Sequence, residues 1–197
     1  MRVITGLYKG RILKTVNDLR VRPATDRVKQ TIFDMLSTRI ELEGIEVLDL
    51  FAGSGGLGIE ALSRGAGHVT FVESDREAAA FIEQNIESLG CEDRATIEEM
   101  DAMFFTSRIR SSFDLIFADP PYEFEQTAEI PNIVFAQNLL KPNGYLLIEH
   151  APNLHFQSTA LYHAGPEKKF GRTLVTFFQA PSGTNGAQQS SPSITQS

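Results

Sequence analysis

Residues 113–124 read FDLIFADPPYEF. The apolar stretch Leu115 to Ala118 has the character of a buried strand, and a carboxylate, two prolines and a tyrosine follow it directly. A strand cannot run on through Pro120 and Pro121, because proline offers no N–H to the ladder and its ring fixes φ. The chain must therefore stop in a stiff turn that holds Asp119 and Tyr122 together. An acid that accepts hydrogen bonds and a flat ring that stacks are placed side by side there. The competing account is a proline-rich turn capped by an acid for purely structural reasons.

A second group of residues lies upstream. VLDLFAGSGGLG contains Gly53-x-Gly55-x-x-Gly58 between a strand and a helix. Glycine brings no Cβ, so the backbone N–H groups of such a loop can approach a ligand closely. Glu73 ends the next strand, 20 positions beyond Gly53, a spacing that suits a carboxylate accepting hydrogen bonds from ribose hydroxyls. A nucleoside-containing ligand is expected. Dinucleotide sites hold a pyrophosphate on the helix N-terminus. S-adenosylmethionine carries no phosphate but a sulfonium cation, an amine and a carboxylate. Asp49, inside the first strand motif, suits that cation better than a pyrophosphate. Asp101, in MDAMFF, either accepts a hydrogen bond from an adenine amine or is a solvated loop acid.

These groups need elements to position them. Strands are expected at 45–51, 68–73, 95–98, 113–119 and 144–149, with helices at 58–65, 75–89 and about 127–140 between them. That alternation predicts an α/β fold with a doubly wound, mostly parallel sheet. Two further strands, near 156–163 and 173–180, have no convincing helix between them and are expected to pair as an antiparallel hairpin at the sheet edge. Ahead of this body, residues 2–15 read as a small β-hairpin with alternation around Val3, Leu7 and Ile12. RPATDRVKQTIFDML then reads as a helix capped by Thr25 or Asp26, with Val28, Ile32, Phe33, Leu36 and Ile40 on one face. Arg27, Lys29 and Arg39 fall mostly on other faces. The expected divisions are a basic extension at 1–40, a catalytic domain at 41–180, and a tail at 181–197 whose uncharged composition predicts disorder.

The 197 residues suffice for one domain with a full core. Hydrophobic residues make up 42% and charged residues 22%, a balance that favours a packed core over disorder. No stretch of about 18 apolar residues predicts a membrane helix, and no apolar export signal is evident near Met1. The single cysteine, Cys91, excludes an internal disulfide and fits a reducing, cytoplasmic setting. Four scattered histidines supply no ligand spacing, so no metal is expected. Net charge is −7, yet residues 1–40 hold nine basic side chains against three acids, a local balance of +6 that leaves −13 for the rest. A basic module on an acidic body is either an electrostatic footprint for a polyanion or a chance asymmetry of solvated surface.

DLFAGSG, Glu73, MDA and DPPY together resemble the class I S-adenosylmethionine-dependent methyltransferases that act on amino groups, a Rossmann-like class. RVITGLYKGRIL and RPATDRVKQTIFDML narrow the resemblance, over roughly residues 1–180, to the RsmD family of bacterial 16S ribosomal RNA guanine-N2 methyltransferases. Ala24 and Gly56 depart from the pattern expected of that family. The resemblance implies that Asp49, Phe51, Ala52, Gly53, Ser54 and Gly55 surround the methionine part of S-adenosylmethionine. It implies that Glu73 and Ser74 meet the ribose, and Asp101 and Ala102 the adenine. Asp119, Pro120, Pro121 and Tyr122 would hold the target base, and Arg2, Lys9, Arg11, Arg22, Arg27 and Lys29 would grip RNA phosphates. The implied partner is 16S rRNA, within an assembling or assembled small ribosomal subunit. DPPY also occurs in DNA adenine-N6 methyltransferases, which usually need a large target-recognition insertion that this chain lacks. A nicotinamide-dependent oxidoreductase is compatible with the glycine loop but leaves DPPY unexplained. An RNA-binding module with a vestigial cofactor pocket is the non-enzymatic alternative.

Overall fold

The computed structural model describes residues 1–15 and 26–181. Seven strands form one sheet: β1 (Glu46–Leu50), β2 (His68–Glu73), β3 (Ala95–Glu99), β4 (Phe113–Ala118), β5 (Leu140–His150), β6 (His163–Phe170) and β7 (Thr173–Gln179). Their order is β3-β2-β1-β4-β5-β7-β6. The five strands β3, β2, β1, β4 and β5 run parallel, whereas β7 is antiparallel to both β5 and β6. Helices α1 (Asp26–Ser37), α2 (Gly56–Ser63), α3 (Arg76–Leu89), α4 (Ala102–Arg108) and α5 (Ile130–Ala136) complete the fold. The order reverses at β1, which lies between β2 and β4, so a crevice is expected beyond the carboxyl ends of these strands.

Successive strand side chains point to opposite faces, and the two layers of core follow. Val47, Val69, Phe71, Leu115, Phe117, Leu147 and Phe177 pack under α1, α2 and α3, in a cluster that also contains Val3, Leu13, Phe33 and Leu36. Leu48, Leu50, Val72, Ile116, Ala118, Leu146 and Phe178 pack on the other face, with Phe105 of α4 and Val134 of α5. Both faces are covered, so the strands read as continuous apolar runs. The N-terminal segment shares the first cluster with the sheet, and residue 40 marks a change of charge, not a change of core.

Three expectations about elements are corrected. Residues 102–108 form α4, where the sequence suggested only a loop. The helix expected at about 127–140 is a 3₁₀ turn at Glu125–Glu129 followed by the shorter α5. Asn138 adopts φ 55°, which ends the helical path, and Leu140 already pairs with Phe113. The first strand of the edge hairpin lies at 163–170, not 156–163. Its Pro166 falls in the register shift between Ala164 and Glu167, and Lys168 and Lys169 follow. Prolines and lysines are tolerated on an outer strand, where no further ladder has to form.

The expected N-terminal hairpin is short: Val3 N–H donates to Arg11 O at 2.9 Å and Leu13 N–H to Met1 O at 2.9 Å, around an Arg2–Ile12 bridge. Val3 and Leu13 face the core, while Leu7 and Ile12, expected on the apolar face, are 75% and 83% exposed. A buried carboxylate fixes this arm. Glu60 of α2 accepts the N–H groups of Ile4 (2.8 Å) and Thr5 (3.0 Å) and the Arg64 Nε (2.8 Å). Lys29 Nζ lies 3.9 Å from Glu60 Oε2 and donates to Arg2 O at 2.7 Å. Lys29 and Glu60 are both 0% exposed. The expectation that Lys29 faces outward to grip phosphate is therefore corrected: its charge lies in the core, opposite an acid. The Thr25 cap, Arg22 and most of RPATDR lie outside the described residues, as does the tail from 182 on.

Removing one partner of a buried ion pair strands the other charge, at a cost of about 3–5 kcal/mol. Glu60→Ala is therefore expected to destabilise the protein by about that much and to make the first 15 residues more sensitive to protease. Chemical unfolding and limited proteolysis check this, and a change below about 1 kcal/mol would contradict it.

Candidate active site

The chain leaves β1 through a tightly wound loop. Phe51 (φ 58°), Gly53 (φ 56°) and Gly55 (φ 81°) all have positive φ. For Phe51 this conformation is strained, at a cost of order 1–3 kcal/mol. Its ring meets Phe124 edge-on at 5.0 Å, which ties the loop to the proline turn after β4. The glycines serve different ends. A Cβ at Gly53 would meet nothing within 4 Å, so the backbone angle alone requires glycine there. A Cβ at Gly58 would lie 2.3 Å from the Phe71 ring, so Gly58 lets α2 rest directly on β2.

Two acids bind the loop internally. Asp49 Oδ2 accepts the Gly58 N–H at 2.8 Å and is 2% exposed. Burial pushes the Asp49 carboxyl up to about 7, against the opposing Gly58 hydrogen bond and with a further push from Glu73. Glu73 accepts the Gly53 N–H at 2.7 Å on one oxygen and the Asp75 N–H at 2.8 Å on the other. Each carboxylate oxygen keeps a second lone pair for a hydroxyl donor. Ser74 beside it is exposed. Asp101 is the N-cap of α4, accepting the Phe104 N–H at 2.8 Å, and Ala102 is buried beneath it. Asp101 is therefore an exposed acid that also caps a helix. Asn85 of α3 braces the loop from behind: its Nδ2 donates to Ser54 O at 3.2 Å and to Lys14 O at 3.0 Å. Nothing in the local sequence pattern marked Asn85.

The turn after β4 lies beside this loop because Leu50 and Ala118 are register partners. A cleft of about 180 Å³ opens there, lined by Asp119, Pro120, Tyr122, Phe124, Glu149 and Leu154 among others. Burial, then Glu149, then Asp49 raise the Asp119 carboxyl well above the usual range. Glu149 is pushed up to about 7 by burial, against a hydrogen bond from Thr173. Its Oε2 is buried with no hydrogen-bond partner among the described residues. The Tyr122 hydroxyl bonds to Thr173 Oγ1, while Tyr122 as a whole is 62% exposed. His150 is buried, with Nε2 2.8 Å from Thr176 Oγ1, and burial lowers its pKa, so it is neutral in this wall. Glu149 was missed in the sequence, although the signal was available: it ends an apolar strand just as Asp119 and Glu73 do. A larger cavity of about 740 Å³, lined by Thr5, Leu42, Gly65 and Arg94, lies at the opposite, amino ends of the strands, away from these acids.

The basic residues are less uniform than the charge balance suggests. Arg2 Nε pairs with Asp26 at 2.8 Å, and Arg11 Nη2 donates to Ser88 O at 2.6 Å. Lys9 and Arg27 are exposed. Among the described residues no helix is long and apolar enough to cross a membrane, and no group of three or more His, Cys, Asp or Glu could hold a metal ion.

A family model described as Conserved hypothetical protein 95 matches residues 1–179. The ribosomal RNA small subunit methyltransferase D of Haemophilus influenzae is 38% identical over 152 residues, which cover 76% of this chain and 78% of the relative. Its Escherichia coli namesake is 36% identical over 152 residues, 76% of this chain and 71% of the relative. A solved structure, the hypothetical protein TTHA0928 of Thermus thermophilus, is similar with a TM-score of 0.78 at 26% identity, over 90% of this chain and 98% of its own.

A carboxyl whose pKa is raised by folding contributes stability that is full below the unfolded value of about 4 and is lost as pH rises through the folded value. The ligand-free protein is therefore expected to unfold at lower temperature at pH 8 than at pH 5. Asp49→Asn should flatten that decline, because its carboxyl titrates near 7 in the fold. Thermal unfolding across a pH series checks this, and an unchanged slope in Asp49→Asn would contradict the burial account.

Proposed function

The chain belongs to the RsmD family, whose model is described as Conserved hypothetical protein 95, and from that membership and the cleft at Asp119 we propose that it methylates small-subunit (16S) ribosomal RNA. The donor is S-adenosylmethionine and the acceptor is the exocyclic N2 of a guanine. The substrate is the RNA within an assembling or assembled small subunit, in the cytoplasm. The observation that carries this reading is the half-buried Asp119, followed by two prolines and Tyr122 and adjoining the acid-lined glycine loop.

The residues present fit S-adenosylmethionine. Asp49 is a buried acid near the end of β1, and its carboxylate already takes the N–H of Gly58, in the first turn of α2, that a dinucleotide pyrophosphate would need. An anion there favours a cationic sulfonium and amine over a phosphate. Asp49 with the backbone from Phe51 to Gly55 would hold the methionine part, Glu73 with Ser74 the ribose, and Asp101 with Ala102 the adenine. When bound, S-adenosylmethionine supplies an electrophilic methyl group.

The lone pair of a guanine amine is delocalised into the ring, which makes the amine a poor nucleophile. Asp119 and the Pro120 carbonyl accept its two hydrogens, draw the nitrogen toward tetrahedral geometry and offset the positive charge that develops on it. Pro120 and Pro121 keep both acceptors in place, and positioning of this kind can supply up to about 7–11 kcal/mol of the barrier. The base has to leave its stack, at a cost of a few kcal/mol that is smallest in a loop. The exposed Tyr122 ring offers it a new stacking partner. Asp119, whose proton affinity is raised by burial and by Glu149, is equipped to hold the proton that the amine then loses.

Ribosomal RNA from cells lacking the protein should accept labelled methyl groups, and mass spectrometry should locate them on N2 of one guanine. Asp119→Ala should lower the rate by at least about 100-fold, the range for loss of one such preorganised acceptor, with calorimetric S-adenosylmethionine affinity within about threefold of the unaltered protein. Full activity in Asp119→Ala would overturn the role given to it, and binding of NADH without S-adenosylmethionine would favour an oxidoreductase. Of the basic residues that the resemblance assigns to RNA, Lys9 and Arg27 are exposed and would grip phosphate. Replacing both with alanine should weaken RNA binding and reduce its salt slope by about 0.7 per lost contact, with little change in rate at saturating RNA.

A further inference from the structure

We propose that Glu149 selects the base: its carboxylate accepts the ring N1–H of guanine while Asp119 holds the neighbouring amine. This rests on the methyltransferase reading above and deepens it, since it names the residue by which the cleft would select guanine. Ala118 and Ile148 are register partners on parallel strands. Asp119 and Glu149 each come one residue later, so they stand at the same level, Asp119 just past the end of β4 and Glu149 still within β5, and both line the same cleft. Glu149 Oε2 is buried and, among the described residues, has no hydrogen-bond partner. Thr173 supplies a hydrogen bond to the Glu149 side chain, and the same Thr173 hydroxyl meets Tyr122, the ring expected to stack on the base.

Two adjoining acceptor groups match an edge with two adjoining donors. Guanine presents such an edge, N1–H beside the N2 amine. In adenine and 2,6-diaminopurine N1 is a lone pair, which would face a carboxylate and leave a buried acceptor unpaired. Sites built to hydrogen-bond a substrate donor reject analogues that lack it. Guanine also brings two donors to two acids that otherwise repel each other across the cleft.

The test uses small-subunit RNA joined from segments, with either guanine or 2,6-diaminopurine at the nucleotide that the unaltered protein methylates. Both bases keep the 2-amine, and only guanine has N1–H. The unaltered protein should favour guanine by at least about tenfold in kcat/KM. Glu149→Ala should lower kcat/KM for guanine by at least about tenfold and leave 2,6-diaminopurine within about threefold. Glu149→Gln, which can donate to an N1 lone pair, should narrow or reverse the preference. Calorimetric S-adenosylmethionine affinity should hold within about threefold in both variants, which excludes a collapsed site. Equal losses on both bases, or an unchanged preference, would overturn the proposal while leaving the methyltransferase reading intact. No methyl transfer by the unaltered protein to any small-subunit RNA would overturn both.

Discussion

The parallel pairing of β1 with β4 is the constraint on which the site depends. Leu50 lies opposite Ala118, so the chain leaves both strands at the same level and at the point where the sheet order reverses. Crossovers to either side carry their helices to opposite faces, and the space between the strand ends stays open. Asp49, Glu73, Asp119 and Glu149 all come from the carboxyl ends of neighbouring strands. Burial pushes Asp49 and Glu149 up to about 7, and Asp119, raised first by its own burial, is raised further by the charges of both. Such a cluster is poor surroundings for a phosphate and good surroundings for a cation or for a base edge rich in N–H groups.

The N-terminal arm supports that crevice from behind. Glu60 gathers the Ile4 and Thr5 amides, Arg64 and Lys29 into α2, the helix that begins at the glycine loop. Asn85 joins Lys14 to Ser54 in the loop itself. The arm that carries much of the basic charge is thereby fastened to the elements proposed to hold the cofactor. Of that charge, Lys29 is internal and Arg2 pairs with Asp26, while Lys9 and Arg27 are exposed. A local charge balance thus overstates the positive surface on offer.

Much of the fold was legible because the strands are buried on both faces and announce themselves as apolar runs ending in acids or glycines. The sheet from β1 to β5 and the hairpin pairing of the last two strands follow from those runs. Element limits failed where tertiary contact outweighed local pattern. Residues 163–170 form a strand despite GPEKKF, because β7 offers them a ladder. α4 is held by Asp101 at its cap and by Phe105 in the core, over too few residues to show a helical period. Lys29 falls among apolar neighbours on α1, and Glu60 and the Arg2 carbonyl across the interface make its burial tolerable.

For the site, the residue types and spacing in GSGGLG, Glu73 and DPPY were enough to mark where a nucleoside-like ligand and an amine would be handled. Those are local signals, set by the φ demands of glycine and proline and by acids at strand ends. What the chain alone left open was which acids would face one another. Asp119 and Glu149 are 30 positions apart, and nothing short of the β4–β5 register brings their carboxyl groups into one cleft. Proximity of that kind is set by sheet order and shared desolvation, which belong to the packed fold and not to any window of sequence.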